Sequence, residues 1–147
     1  EAGLRALPES VGSWPPFPDS VEALRRLQVG FELVILSNID DDLFAQTEAL
    51  LGIDFDEVIT AQQVGSYKPS TENFEFALDR LQVPPQQVLH VAQSLFHDHE
   101  PAKRLGFTTV WINRPSRCPG VGVAPPTQAS PDVELPDLAS LAELMSL

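Results

Sequence analysis

Short apolar runs of strand length alternate with amphipathic helical stretches from residue 19 to residue 145, and this alternation leaves few folds open. Residues 32–37 (Glu-Leu-Val-Ile-Leu-Ser), 57–60, 88–93, 108–113 and 132–135 read as strands. Between them lie helical patterns. Val21, Leu24 and Leu27 follow Asp19, the predicted N-cap, and precede Gly30. Leu43, Phe44, Leu50 and Leu51 follow Asp40, Asp41 and Asp42, acids that suit the positive end of a helix dipole, and stop at Gly52. Phe74, Ala77, Leu78 and Leu81 share one face of a predicted helix over 70–81, so Phe74 is expected in the core. Further helices are predicted over 99–105 and 137–145. Strands separated by helices require crossover connections. The fold class is therefore α/β: a mostly parallel, doubly wound, Rossmann-like sheet with helices on both faces. The unbroken apolar run Leu33 to Leu36 predicts a strand buried on both sides.

Composition narrows the partners. The 147 residues suit one domain with one apolar core. A net charge of -12 repels phosphate backbones and anionic membranes, so neither nucleic acid nor a membrane is an expected partner. No apolar run is long enough to span a bilayer. Cys118 is the only cysteine, which excludes an internal disulfide, and the three histidines are not spaced as zinc ligands. The expected location is cytoplasmic, and an oligomer is compatible with this composition. Proline and glycine concentrate in residues 115–130, predicted as a flexible loop. The chain begins at Glu1 and its only methionine is Met145, so an upstream segment is expected.

In open parallel sheets, ligands bind beyond the carboxyl ends of the strands. Three polar groups follow strands here: Ser37-Asn38, Tyr67-Lys68-Pro69, and Gln93-Ser94 with His97-Asp98. Each also has a plain structural reading, respectively a turn, a solvated lysine, and a helix N-cap beside a surface histidine.

Taken in order, Leu-Ser-Asn at 36–38, Ser-Tyr-Lys-Pro-Ser at 66–70, Val-Ala-Gln-Ser-Leu-Phe-His-Asp at 91–98, Pro-Ala-Lys-Arg-Leu-Gly at 101–106 and Val-Trp-Ile-Asn-Arg at 110–114 resemble the haloacid dehalogenase superfamily. The resemblance covers about residues 14 to 114 and is greatest to the branch containing 2-haloacid dehalogenases. It implies a hydrolase in which an aspartate nucleophile forms an enzyme ester that water then cleaves. It further implies a small anionic organic substrate. Ser37, Asn38, Gln93 and Ser94 would bind that substrate, Lys68 would neutralise the nucleophile and the anion, and Asp98 would orient Lys68 or the water. In a phosphatase version Asp98 would instead contribute to a Mg2+ site.

The chain departs from the pattern at several places. Phe74 stands where the branch's dehalogenases carry a tyrosine, Leu95 where they carry an asparagine, and Gln93 where phosphatase relatives carry the first of two acids. No strand ending in a nucleophilic aspartate precedes residue 14, and Asp40–Asp42 read as a helix start instead. The sheet is thus expected to lack its first strand, leaving residues 32–37 and 88–93 with no ladder between them. On this reading residues 1–18 are a remnant of a cap or linker and residues 19–147 a partial core domain. The chain alone is expected to be inactive, and a non-catalytic binding domain on the same fold is the alternative outside enzymes.

Overall fold

A computed structural model describes residues 10–114 and 125–145 of the chain. After a short 3-10 turn at Val11–Ser13 come α1 (Ser20–Leu27), β1 (Val34–Ser37), α2 (Asp41–Leu51), β2 (Glu57–Thr60), α3 (Ala61–Val64) and α4 (Glu72–Leu81). A 3-10 turn at Pro85–Gln87 leads to β3 (Leu89–Ala92), a π-helical turn at Leu95–His99, α5 (Glu100–Arg104), β4 (Thr108–Ile112), β5 (Val133–Leu135) and α6 (Leu138–Leu144). Residues 1–9 and 115–124, with most of the expected loop, lie outside the described residues. Among the described residues no helix is long and apolar enough to cross a membrane.

Among the described residues every strand pairing is parallel, in keeping with the α/β, Rossmann-like class. The strands form two sheets. β1 pairs with β2, from Val34 opposite Glu57 to Ser37 opposite Thr60, and β4 lies between β3 and β5. Among the described residues no ladder joins β1 to β3.

Successive side chains on β3 point to opposite faces and so enter different cores. Val91 packs against the first, in which Ala23 and Leu27 of α1 and Leu141 and Ala142 of α6 meet Val110 and Ile112 of β4. His90 meets Phe74 of α4, which belongs to the second core with Ala102 and Phe107. Leu36 of β1 packs there too, so α4 joins the two sheets. Phe74 is completely buried, as its helical register predicts.

Three expectations need correction. The run Leu33 to Leu36 is only half-buried, because β1 has one strand neighbour among the described residues; the doubly flanked β4 buries Thr109, Val110 and Ile112. Asp19 sits at the N-cap of α1, but its carboxylate does not cap that helix. It accepts two hydrogen bonds from Arg114 and one from the Leu138 amide at the start of α6. The helix predicted from residue 99 starts earlier, as the π turn at Leu95. Pro101 has no N–H to bond back to the preceding turn, so a regular α-helical ladder cannot run through it. Other boundaries shift by a residue or two: the helix predicted from 70 begins at Glu72, and α2 ends where Gly52 takes a left-handed conformation (φ 59°) that suits glycine.

Candidate active site

Because the strands are parallel, the loops that follow them share one edge, and the two half-sheets bring their polar groups together there. Lys68 is central to this edge. Its Nζ donates to the Leu36 carbonyl oxygen at 2.8 Å, next to the end of β1, and to Asp98 Oδ1 at 2.6 Å. Both side chains of the pair are 10% exposed. An ammonium has three hydrogens, and with two engaged the third has no protein acceptor among the described residues.

Asn38 fixes the backbone of Lys68. The Lys68 amide donates to Asn38 Oδ1 at 2.7 Å, and Asn38 Nδ2 donates to the Lys68 carbonyl at 3.0 Å. This two-way amide pairing ties the lysine loop to the end of β1. Ser37 is half-buried at that end, its backbone in register with Thr60.

Asp98 lies within the π turn instead of capping a helix. Ser94 is the cap: its Oγ accepts from the His97 amide at 3.1 Å and lies 3.0 Å from His97 Nδ1. The Ser94 hydroxyl is therefore engaged within its own turn. The Gln93 carbonyl accepts from Trp111 Nε1 at 2.8 Å, while the residue itself is exposed. The structure thus brings Lys68, Asn38 and Asp98 into direct contact with one another or with the end of β1. It gives Gln93 and Ser94 local partners.

His90 was not singled out by sequence reasoning. Its Nε2 lies 3.3 Å from Asp98 Oδ1, the oxygen that also faces Lys68. The available signal was a lone ionisable residue in the apolar run Val88-Leu89-His90-Val91-Ala92. His99 is fully buried next to Asp98, with Nε2 3.0 Å from the Ala92 carbonyl and Nδ1 without a partner. A ring nitrogen facing a carbonyl must carry the proton, so His99 is the neutral Nε2–H tautomer, and burial holds its pKa below the usual histidine value.

Burial pushes the Asp98 carboxyl up, yet the hydrogen bond from His90 and the charge of Lys68 outweigh it and hold the group below its ordinary value. Asp98 is accordingly a carboxylate. It is a poor Mg2+ ligand in this setting: one of its oxygens already faces an ammonium and an imidazole, and Gln93 offers an exposed amide where a second carboxylate would be needed. Among the described residues no group of three or more acidic, histidine or cysteine side chains could hold a metal ion.

The Asp41 carboxylate has partners of its own, on α3 and at the end of β2. At the start of α2 its Oδ1 accepts from Thr60 Oγ1 at 2.6 Å and from Gln63 Nε2 at 2.8 Å, tying α2 to the end of β2. None of the described strands ends on an aspartate.

Residues 4–106 match the family of haloacid dehalogenase-like hydrolases. The chain belongs to that family. Within it, the chain is 34% identical to (S)-2-haloacid dehalogenase 4A of Burkholderia cepacia over 112 residues, which cover 74% of the chain and 48% of that enzyme. It is also 34% identical, over 66% of its length and 44% of the relative's, to a glyceraldehyde 3-phosphate phosphatase of Methanocaldococcus jannaschii. The L-2-haloacid dehalogenase of Xanthobacter autotrophicus, solved with chloropropionic acid covalently bound, superposes with a TM-score of 0.83 at 26% identity, covering 99% of this chain and 67% of that one. The chain spans about half the length of the curated relatives it matches.

Proposed function

We propose that this haloacid dehalogenase-like chain carries the cationic half of a 2-haloacid dehalogenase site, for a small anionic organic substrate. The observation that supports this reading is the fixed Lys68 ammonium, held between the Leu36 carbonyl and Asp98 with one hydrogen free of any acceptor among the described residues. In this reading residues 19–147 are a partial core domain and residues 1–18 the remnant of a cap or linker.

The chemistry begins with an aspartate carboxylate oxygen attacking the substrate carbon that bears the halogen. A C–O bond forms, the carbon–halogen bond breaks, and halide leaves with the electron pair. Water then adds to the carbonyl carbon of the enzyme ester, and its cleavage releases a 2-hydroxy acid and restores the aspartate. Lys68 supports both steps by directing its free N–H at the anionic oxygens of nucleophile or substrate, charge that water would otherwise solvate. Ser37, beside the carbonyl that Lys68 contacts, offers a hydroxyl to the substrate carboxylate. Asn38 acts chiefly through Lys68, since its amide is paired with the lysine backbone. Asp98 keeps the lysine aligned.

A magnesium-dependent phosphatase is the second reading, favoured by the identity to the archaeal phosphatase. The donor set around Asp98 weighs against it. The two separate in one assay, made in a polypeptide that joins these residues to an aspartate nucleophile. Halide release from 2-chloropropionate that survives a chelator supports the dehalogenase, and chelator-sensitive phosphate release replaces it with the phosphatase. Lys68→Ala should lower turnover by about 10²- to 10³-fold, in line with loss of a preorganised charge. Unchanged turnover would remove Lys68 from the mechanism.

A further inference from the structure

We infer that His90 is a positioning residue of this site, donating its Nε2–H to Asp98 Oδ1 and thereby holding the carboxylate against the Lys68 ammonium. The inference rests on the role proposed for Lys68 and extends it to a residue on a different strand.

Asp98 stands on a five-residue π turn that is capped by Ser94, and Lys68 on a loop; neither belongs to a sheet. The two groups also come from opposite half-sheets with no ladder between them among the described residues. Lys68 is tied to the end of β1 by the Leu36 carbonyl and, through its backbone, by Asn38, so the ion pair keeps its geometry if Asp98 is held as well. His90 supplies the anchor. Its backbone is in register with Thr109 in the β3–β4 ladder, and its side chain is 11% exposed. The ring is confined by Phe74, whose centroid is 5.2 Å away with an interplanar angle of 67°, and by Phe107 at 6.3 Å. A ring so confined has little freedom to turn its Nε2 away from Asp98.

The protonation states fit. Among the described residues the charged and titratable groups around His90 are Asp98 and His99 from the π turn and Lys68 from its loop, while α4 and the residue before β4 face it with Phe74 and Phe107. With a carboxylate 3.3 Å away, a bare Nε2 would set two lone pairs against each other, so the proton belongs on Nε2. His99, 6.3 Å away between centroids, has Nε2 facing the Ala92 carbonyl and does not compete for Asp98. The hydrogen bond from His90 is also the foremost of the contacts that offset the burial of Asp98.

The test is read without turnover, by NMR on the 147-residue chain. Long-range 1H–15N spectra near neutral pH report which His90 nitrogen carries a proton: Nε2–H is expected, and a bare Nε2 overturns the inference. The Asp98 carboxyl carbon is then titrated in His90→Leu and His90→Gln. Leucine removes the donor, and glutamine keeps an amide N–H at about the reach of Nε2. The Asp98 midpoint should rise by about one pH unit or more in His90→Leu and stay near the unmodified value in His90→Gln. Equal midpoints in all three proteins, or an equal rise in both variants, overturn the donor role. If His90→Leu does not fold, the tautomer in the unmodified chain decides alone. Failure of the dehalogenase reading shows separately, as unchanged halide release in Lys68→Ala, and leaves these titrations as they are.

Discussion

Val34-Ile35-Leu36 in β1 and Val110-Trp111-Ile112 in β4 are close to interchangeable as sequence, yet Val110 and Ile112 are buried while all of β1 stays half-buried. The difference lies in their neighbours. β4 has a strand on each side and receives α1 and α6 on one face, whereas among the described residues β1 pairs only with β2. Strand formation follows from the local pattern, but depth of burial is a property of the assembly around it. The functional edge lies where the better-built half meets the poorer one, and the contacts across that junction include Phe74, which shares a core with Phe107 and Leu36, and Lys68 with Asp98.

Breaking the junction at Phe74 should have the largest effect on stability. Phe74→Ala removes a completely buried ring that touches both halves, and about 3 to 5 kcal/mol should be lost in denaturant unfolding. If the halves depend on each other through this ring, amide exchange should accelerate in β1 and β2 more than in β4, which keeps its own core. Uniform acceleration would mean that the two halves unfold as one unit.

The sequence made the strands, their parallel order and the sharing of one edge by Ser37, Lys68 and Asp98 legible, because each depends on periodicity or on the residues placed directly after a strand. It did not disclose His90, since a lone polar residue in a strand is indistinguishable from a buried one with local partners until Asp98, eight residues later, is seen to turn back onto it. Nor did it give the true role of Asp19, whose partners Arg114 and Leu138 are 95 and 119 residues away. The π turn ahead of Pro101 is likewise something that the pattern of apolar residues does not register.

Acid should weaken the two regions in sequence. The pKa of His99 is lowered in the fold, chiefly by burial, so its contribution is full above the ordinary value of 6.5 and is lost as pH falls through the lowered one. The Asp98 carboxyl, also lowered, contributes fully above 3.8 and loses its effect on further acidification. Between these values the β3–β4–β5 side, where His99 meets the Ala92 carbonyl, is affected first; the junction follows below 3.8. Urea midpoints measured against pH should therefore decline in two stages, and His99→Gln should flatten the upper one. An unaltered upper stage in that variant would assign it to another group.

The smallest effects come from two ion pairs, one in each region, and they sharpen the comparison because their settings differ. Arg114 binds Asp19 through two parallel contacts of 2.8 and 2.9 Å, stacks 4.1 Å over the Phe17 ring, and both charged side chains are about four-fifths covered. Asp19 also accepts the Leu138 amide, one of the N–H groups at the start of α6 without an intrahelical partner, so its loss strands three donors on two residues at once. Asp19→Ala should cost about 1 to 2 kcal/mol. Arg80 and Glu57 tie α4 to β2 through a single 3.1 Å contact, with the arginine more than half exposed. Arg80→Ala should change stability by less than about 0.5 kcal/mol, a difference that shrinks further in high salt. Equal costs for the two substitutions would show that coverage of the charges is not what separates the regions. A larger cost for Arg80→Ala would mean that the half-buried β1–β2 pair leans on its surface contacts more heavily than on the apolar residues of β1.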